Sequence, residues 1–200
     1  NIKPLDDQKE ECLKFFDLNP DKKTILLVGG SQGALGINRG ISAMLDAFKD
    51  NDYQMIWQTG THYYDKAVEE VKNNGLQDRI KCTVFIDRMD MAYAAADVVI
   101  SRAGAMSISE LSLLRKAVVF VPLPTAAEDH QTKNAMSLVK ENAALMVKNS
   151  ETETELLPTV FSLLENEDKQ NEMKDNIAKF AKPNAAEDIV DQIEMIINKR

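Results

Sequence analysis

The chain has 200 residues, 44% of them hydrophobic, and a formal net charge of −8. That is enough apolar material for one large domain or two small ones, and too much for a disordered segment. The acidic balance argues against nucleic acid or an anionic bilayer as the main partner of this stretch.

Residues 151–200 hold twelve acidic and six basic side chains, a composition that fits solvated helices rather than an acidic binding site. Cys12 and Cys82 are the only cysteines and stand far apart. No metal-ligand spacing is present, so no metal is expected, and a reduced, cytoplasmic protein is the default; no cofactor is expected either. No signal peptide is evident, and no apolar run approaches the ~18 residues that span a bilayer. Direct membrane insertion is therefore not expected. The first residue is Asn1 rather than Met, which suggests a piece of a longer protein.

In chain order, residues 1–22 read as a lead-in. An apolar cluster at Cys12, Leu13, Phe15 and Phe16 predicts a helix over Asp6–Phe16, followed by a loop through Pro20. Residues 23–150 then alternate. Apolar runs at Ile25–Val28, Tyr53–Trp57, Cys82–Ile86, Val98–Ile100, Ala117–Val121 and Ala144–Val147 predict strands. Between them lie helix-period stripes, such as Tyr64, Val68 and Val71, or Ile108, Leu111 and Leu114. Short, continuously apolar strands separated by helices mean a parallel sheet covered on both faces. With right-handed crossovers, the expected fold class is α/β, a doubly wound, Rossmann-like sheet. Residues 151–200 read as three amphipathic helices, around Leu156–Leu164, Met173–Phe180 and Ile189–Ile197, packing on that domain. Pro158 is expected in the first turn of the first helix, and Pro183 at the start of the last.

In such a sheet, ligands bind at the carboxyl ends of the strands. Four loops leave those ends. Gly29-Gly30-Ser31-Gln32-Gly33-Ala34-Leu35-Gly36 holds four of the chain's eight glycines between a strand and a helix. It lacks the Lys-Ser/Thr of a P-loop and the G-x-G-x-x-G spacing of a dinucleotide site, and the second strand ends in Gln58-Thr59-Gly60 with no ribose-binding acid. Ser31 and Gln32 are ligand contacts or helix caps. At the second loop, Phe85-Ile86-Asp87-Arg88, exposed backbone can meet a base edge, but the stronger local reading is Ile86 as a core residue and Asp87 as a cap for a helix starting near Met89. The third runs from Ser101 through Ala103, Gly104 and Ala105 into a helix whose N-terminus suits a phosphate. Glu110, one turn in, is either a grip on two vicinal hydroxyls or half of a Ser107-x-x-Glu110 capping box. The fourth carries His130 and Gln131. Each is a polar ligand contact or a solvent-facing side chain, and His130 has no evident nucleophile or metal partner.

Taken as a set and in order, from about Lys23 to Ser150, these loops resemble the C-terminal half of the MurG glycosyltransferases, which convert lipid I to lipid II. The residues that carry the resemblance are Gly29–Ala34, Phe85-Ile86-Asp87, Ser101–Ala105 with Ser109-Glu110, and His130–Ala135. The resemblance implies one half of a GT-B enzyme that binds UDP-N-acetylglucosamine. It implies that Ser31 lies near the nucleotide, that the Ile86 backbone contacts uracil, and that the run Ala105, Met106, Ser107, Ile108, Ser109 and Glu110 holds diphosphate and ribose. It places His130 and Gln131 against the sugar, with His130 standing where the family often has Gln. The lipid I acceptor, the catalytic residues and the membrane-facing patch belong to an N-terminal domain not in this sequence. The fragment alone is expected to be inactive, and the whole protein to sit on the cytoplasmic face of the bacterial inner membrane. Competing readings are another GT-B enzyme such as a UDP-N-acetylglucosamine 2-epimerase, a dinucleotide-dependent oxidoreductase, and a non-catalytic interaction module.

Overall fold

The structure is a computed structural model and describes residue 5, residues 8–30 and residues 32–197. The start of the expected first helix at Asp6 lies outside those residues, as does Ser31. Helix α1 (Lys9–Phe15) precedes strand β1 (Thr24–Val28). There follow α2 (Leu35–Ala43), β2 (Gln54–Gln58), α3 (Tyr64–Asn73), β3 (Ile80–Thr83), α4 (Met89–Ala95), β4 (Val98–Ser101), α5 (Ala105–Leu113), β5 (Ala117–Phe120), α6 (His130–Val139) and β6 (Leu145–Met146). Helices α7 (Thr152–Glu165), α8 (Glu167–Ile177) and α9 (Ala185–Ile197) close the chain. The strands form one sheet in the order β3-β2-β1-β4-β5-β6, and every pairing is parallel. The α/β doubly wound fold read from the alternation is the fold observed.

Strand residues alternate between two cores because successive side chains leave a strand on opposite faces. Ile25, Leu27, Met55, Trp57, Val98, Ile100 and Val119 enter one core, beneath α2, α3 and α7. Leu26, Ile56, Val99, Val118 and Phe120 enter the other, with α1, α4, α5 and α6. The register matches these rows, since Ile25 stands opposite both Met55 and Val98. The central strands β1, β2, β4 and β5 are buried on both faces almost throughout, whereas Lys81 to Thr83 of the edge strand β3 are only partly buried, and each fully buried aliphatic side chain contributes about 1.5–3 kcal/mol.

Helix α7 crosses α2 closely. A Cβ on Gly40 would stand 2.6 Å from the Thr152 side chain, so only glycine permits the approach. Thr152 Oγ1 also donates to the Gly36 carbonyl at 2.9 Å. The start of α7 is thereby tied to the first turn of α2, below the glycine-rich loop.

Four expectations are corrected. The third strand is Ile80–Thr83 rather than Cys82–Ile86. The Thr83 hydroxyl donates to the Phe85 carbonyl at 2.7 Å and turns the chain out of the sheet, although the sequence stays apolar through Ile86. Pro158 lies in the interior of α7, not its first turn, because Thr152–Glu155 already form helix ahead of it. The carbonyl it deprives of a donor belongs to Thr154, which is exposed, so water can replace that bond. Pro183 lies in the turn before α9. Finally, α7 and α8 bury Leu156, Val160, Leu164, Met173 and Ile177, whereas α9 leaves Ile189, Val190, Ile193, Ile196 and Ile197 exposed. Among the described residues α9 therefore adds nothing to the core. No helix of the described residues is long and apolar enough to cross a membrane.

Candidate functional site

The four loops all emerge at the carboxyl edge of the sheet. The first is braced on its neighbour. Gly33 has φ +76, and a Cβ there would lie 2.2 Å from the Thr59 carbonyl oxygen. Gly33 and Gly60 meet backbone to backbone, so part of this glycine content serves packing between two loops and not a ligand. Helix α2 begins at Leu35 with Ala34 as its N-cap and no side-chain cap, so Gln32 does not cap it.

At the second loop the Ile86 side chain is buried, 3% exposed, in the second core. Its backbone N–H and carbonyl make no hydrogen bond among the described residues. Ile86 thus combines a core side chain with a backbone edge that has no partner among the described residues. Asp87 is not a cap. The N-cap position of α4 is Arg88, whose guanidinium makes a two-pronged bond to Asp90 at 2.9 and 2.7 Å.

At the third loop, Gly104 is the N-cap of α5 in an extended conformation, with no side-chain cap. The N–H groups of Ala105, Met106 and Ser107 therefore lack intrahelical partners at a positive helix end. Ser107 falls inside the helix, so the capping box with Glu110 does not form. Instead, Glu110 Oε2 accepts from the buried Tyr93 hydroxyl at 3.1 Å. The Ser109 hydroxyl donates to the Ala105 carbonyl at 2.9 Å and is occupied within its own helix. Ile108 packs half-buried on the second core. Met106 stands 75% exposed at the helix mouth.

Beside this helix end, Arg102 donates from Nη1 to the carbonyls of Val121 and Pro122 at 2.9 and 3.0 Å. Burial lowers its pKa to about 10. It lines a cavity of about 330 Å³ with Gly29, Gly33, Leu35, Thr125 and Asn149. A second cavity of about 480 Å³ adjoins it through Pro124 and Asn149.

At the fourth loop, Gln131 Oε1 accepts from the Leu123 N–H at 3.0 Å, which leaves the side-chain amide N–H groups as donors. His130 is exposed, with Nδ1 2.8 Å from the Ala127 carbonyl. The two residues before it, Glu128 and Asp129, both have positive φ, 51° and 54°, a strained pair of the kind found at functional loops. Asn134 Nδ2 donates to the Ala103 carbonyl at 3.3 Å and ties α6 to the loop that opens α5.

The structure thus gathers Ile86, Ala105–Ser107, Glu110, His130 and Gln131 along one edge of the sheet. Ile108 and Ser109 serve the helix that carries them, and Ser31 lies outside the described residues. Sequence reasoning missed Tyr93, Arg102 and Asn134. Arg102 and Asn134 stood within recognised runs, but nothing in their spacing announced their partners.

Residues 24–189 match the glycosyltransferase family 28 C-terminal domain. The chain belongs to this family. It is 50% identical over 194 residues to the UDP-N-acetylglucosamine–N-acetylmuramyl-(pentapeptide) pyrophosphoryl-undecaprenol N-acetylglucosamine transferase of Parabacteroides distasonis, covering 96% of this chain and 52% of that protein. The chain spans about half the length of the curated relatives it matches. Among solved structures it resembles MurG of Acinetobacter baumannii, with a TM-score of 0.78 and 30% identity, covering 98% of this chain and 54% of the other. A UDP-N-acetylglucosamine 2-epimerase superposes with a TM-score of 0.63 at 16% identity, covering 95% of this chain and 46% of the other, which is a likeness of fold alone. The family's sheet is the Rossmann-like half of a GT-B glycosyltransferase, as the loop motifs led one to expect.

Proposed function

We propose that the chain is the donor-binding half of a peptidoglycan N-acetylglucosaminyltransferase, holding UDP-N-acetylglucosamine for transfer to lipid I. The observation that carries this reading is the 50% identity, across nearly the whole chain, to a relative with that name. The geometry supports it. The Ile86 backbone edge meets uracil, and Glu110 accepts from the ribose hydroxyls. The unpaired N–H groups of Ala105, Met106 and Ser107 face the diphosphate, with the helix dipole and Arg102 adding positive potential. Gln131 donates its free amide N–H groups to sugar hydroxyls, with His130 beside it and Ser31 near the nucleotide.

The reaction is an inverting displacement at the anomeric carbon. The acceptor 4-hydroxyl attacks and UDP leaves. The helix end at Ala105–Ser107 stabilises charge as it builds on the leaving diphosphate, because fixed N–H dipoles need not reorganise during the reaction. The acceptor and the catalytic base belong to the other half of the enzyme, so the 200-residue chain alone binds donor and transfers no sugar. The whole enzyme works at the cytoplasmic face of the inner membrane. Calorimetric titration with UDP tests the reading. Saturable heat supports it; neither heat nor chemical-shift change at millimolar UDP overturns it. Epimerisation of UDP-N-acetylglucosamine without any acceptor would point instead to a 2-epimerase.

A further inference from the structure

The capping box that would have explained Glu110 structurally is absent, and what replaces it is a contact from another element. Tyr93, on α4, is 2% exposed. Its ring lies in the same core as Ile86, Leu111 and Ala135, and its hydroxyl donates to Glu110 Oε2 at 3.1 Å. Glu110 Oε1 has no partner among the described residues. A glutamate side chain on a helix surface ordinarily samples several rotamers, and holding one is entropically costly. Here a rigid, buried donor fixes one oxygen. The second oxygen and the spare lone pair on the first remain as acceptors, the pattern two neighbouring hydroxyl donors require.

We propose that Tyr93 is a positioning residue that orients the Glu110 carboxylate toward the vicinal hydroxyls of the donor's ribose, and so sets the preference for a ribonucleotide. This rests on the donor-site reading above. Tyr93 touches no ligand. It acts through Glu110 and links two parts of the site, because the turn that enters α4 carries Ile86 and the helix itself carries Tyr93. The base contact and the ribose contact are therefore held by one short element. Tyr93 stays protonated throughout: burial, reinforced by the Glu110 charge, holds its hydroxyl well above the usual phenol range. It is therefore available as a donor to Glu110 Oε2 at any physiological pH.

The test compares UDP with 2′,3′-dideoxy-UDP on the 200-residue chain and on Tyr93→Phe, Glu110→Gln and the double variant, with ligand-free melting as a check on folding. Wild type binds UDP more tightly than the dideoxy compound. Tyr93→Phe narrows that ratio roughly fivefold, about the worth of one hydrogen bond, while its affinity for the dideoxy compound is unchanged. In the Glu110→Gln background, where an acceptor for Tyr93 remains but the charge is gone, the Tyr93 substitution changes the ratio less than it does in wild type. If Tyr93→Phe weakens both ligands equally, the tyrosine is merely structural and the proposal falls. An unchanged ratio also overturns it, with the donor-site reading intact. A wild type that fails to bind UDP at all overturns the donor-site reading and this proposal with it. Should Tyr93→Phe fold poorly, a ratio in Glu110→Gln equal to that of wild type refutes the proposal independently.

Discussion

Asn38 Oδ1 accepts from Trp57 Nε1 at 2.9 Å, while Asn38 Nδ2 donates to the Thr59 carbonyl at 2.8 Å. All three residues are buried. One side chain on α2 therefore joins the end of β2 to the loop against which Gly33 packs. Replacing Asn38 with Ala strands a buried indole N–H and a buried carbonyl. A loss of about 2–4 kcal/mol follows from leaving such groups unpaired. Trp57 is the chain's only tryptophan, so urea unfolding followed by its fluorescence reads the effect directly. A midpoint unchanged from wild type would refute it.

Two glycine substitutions separate packing from ligand binding. Gly33→Ala places a methyl against the Thr59 carbonyl at a positive φ, and costs ~3 kcal/mol or more from the left-handed conformation and the collision. Gly104 has an ordinary φ of −73, and a methyl there would meet no atom of the described residues within 4 Å. Gly104→Ala is expected to leave stability within about 0.5 kcal/mol of wild type, yet to weaken UDP binding several-fold, because its methyl stands at the helix mouth assigned to the diphosphate. Thermal melting and calorimetry on the same samples distinguish the two. Equal UDP affinity in Gly104→Ala would move the diphosphate elsewhere.

The central strands were legible because both faces of the sheet are buried there, so β1, β2, β4 and β5 appeared as largely apolar runs. That same rule misplaced β3. Val84 to Ile86 continue the run after the chain has left the sheet, and only the Thr83 hydroxyl on the Phe85 carbonyl reveals the exit. That Ile86, Ala105 and Gln131 stand on loops at the carboxyl edge of the sheet was legible from the strand–helix alternation. The Ser107-x-x-Glu110 spacing allowed a capping box because spacing records which residues are a turn apart, not where the helix begins. Tyr93 was illegible for a further reason: its contact with Glu110 spans two helices, and that distance exists only after the sheet has aligned them.

Glu110→Gln isolates the charge of the carboxylate while keeping an acceptor for Tyr93. Its expected effect is a loss of about 1–3 kcal/mol in UDP binding, the range for weakening hydrogen bonds to a charged group. Stability without ligand changes little, since Glu110 caps no helix. A melting temperature that falls while UDP affinity holds would assign Glu110 to structure.

Stability should also fall in alkaline solution. Burial raises the Cys82 thiol from an ordinary 9.0 to about 12. Between those values the folded chain binds a proton that the unfolded chain has released, so the thiol's contribution is complete below pH 9 and is lost as pH rises toward about 12. The slope approaches about 1.4 kcal/mol per pH unit for one proton. Urea midpoints at about pH 8 and about pH 10, measured for wild type and Cys82→Ala, check this linkage. The variant's decline must be the shallower of the two. Cys82 in folded protein should likewise resist alkylation at about pH 8, because the thiolate is the nucleophile.

The strand order has a consequence for how the chain is made. β1 pairs with β2 on one side and with β4 on the other, where Ile25 meets Val98. During synthesis β1, β2 and β3 can assemble first, but one long flank of β1 then stays open until residues near Val98 leave the ribosome. An open, wholly apolar strand edge is a template for pairing with other chains. The longer the interval between those two segments, the longer that edge stays exposed to such pairing. Slowing translation between β3 and β4 should lower soluble yield, and a chaperone that shields strand edges should restore it.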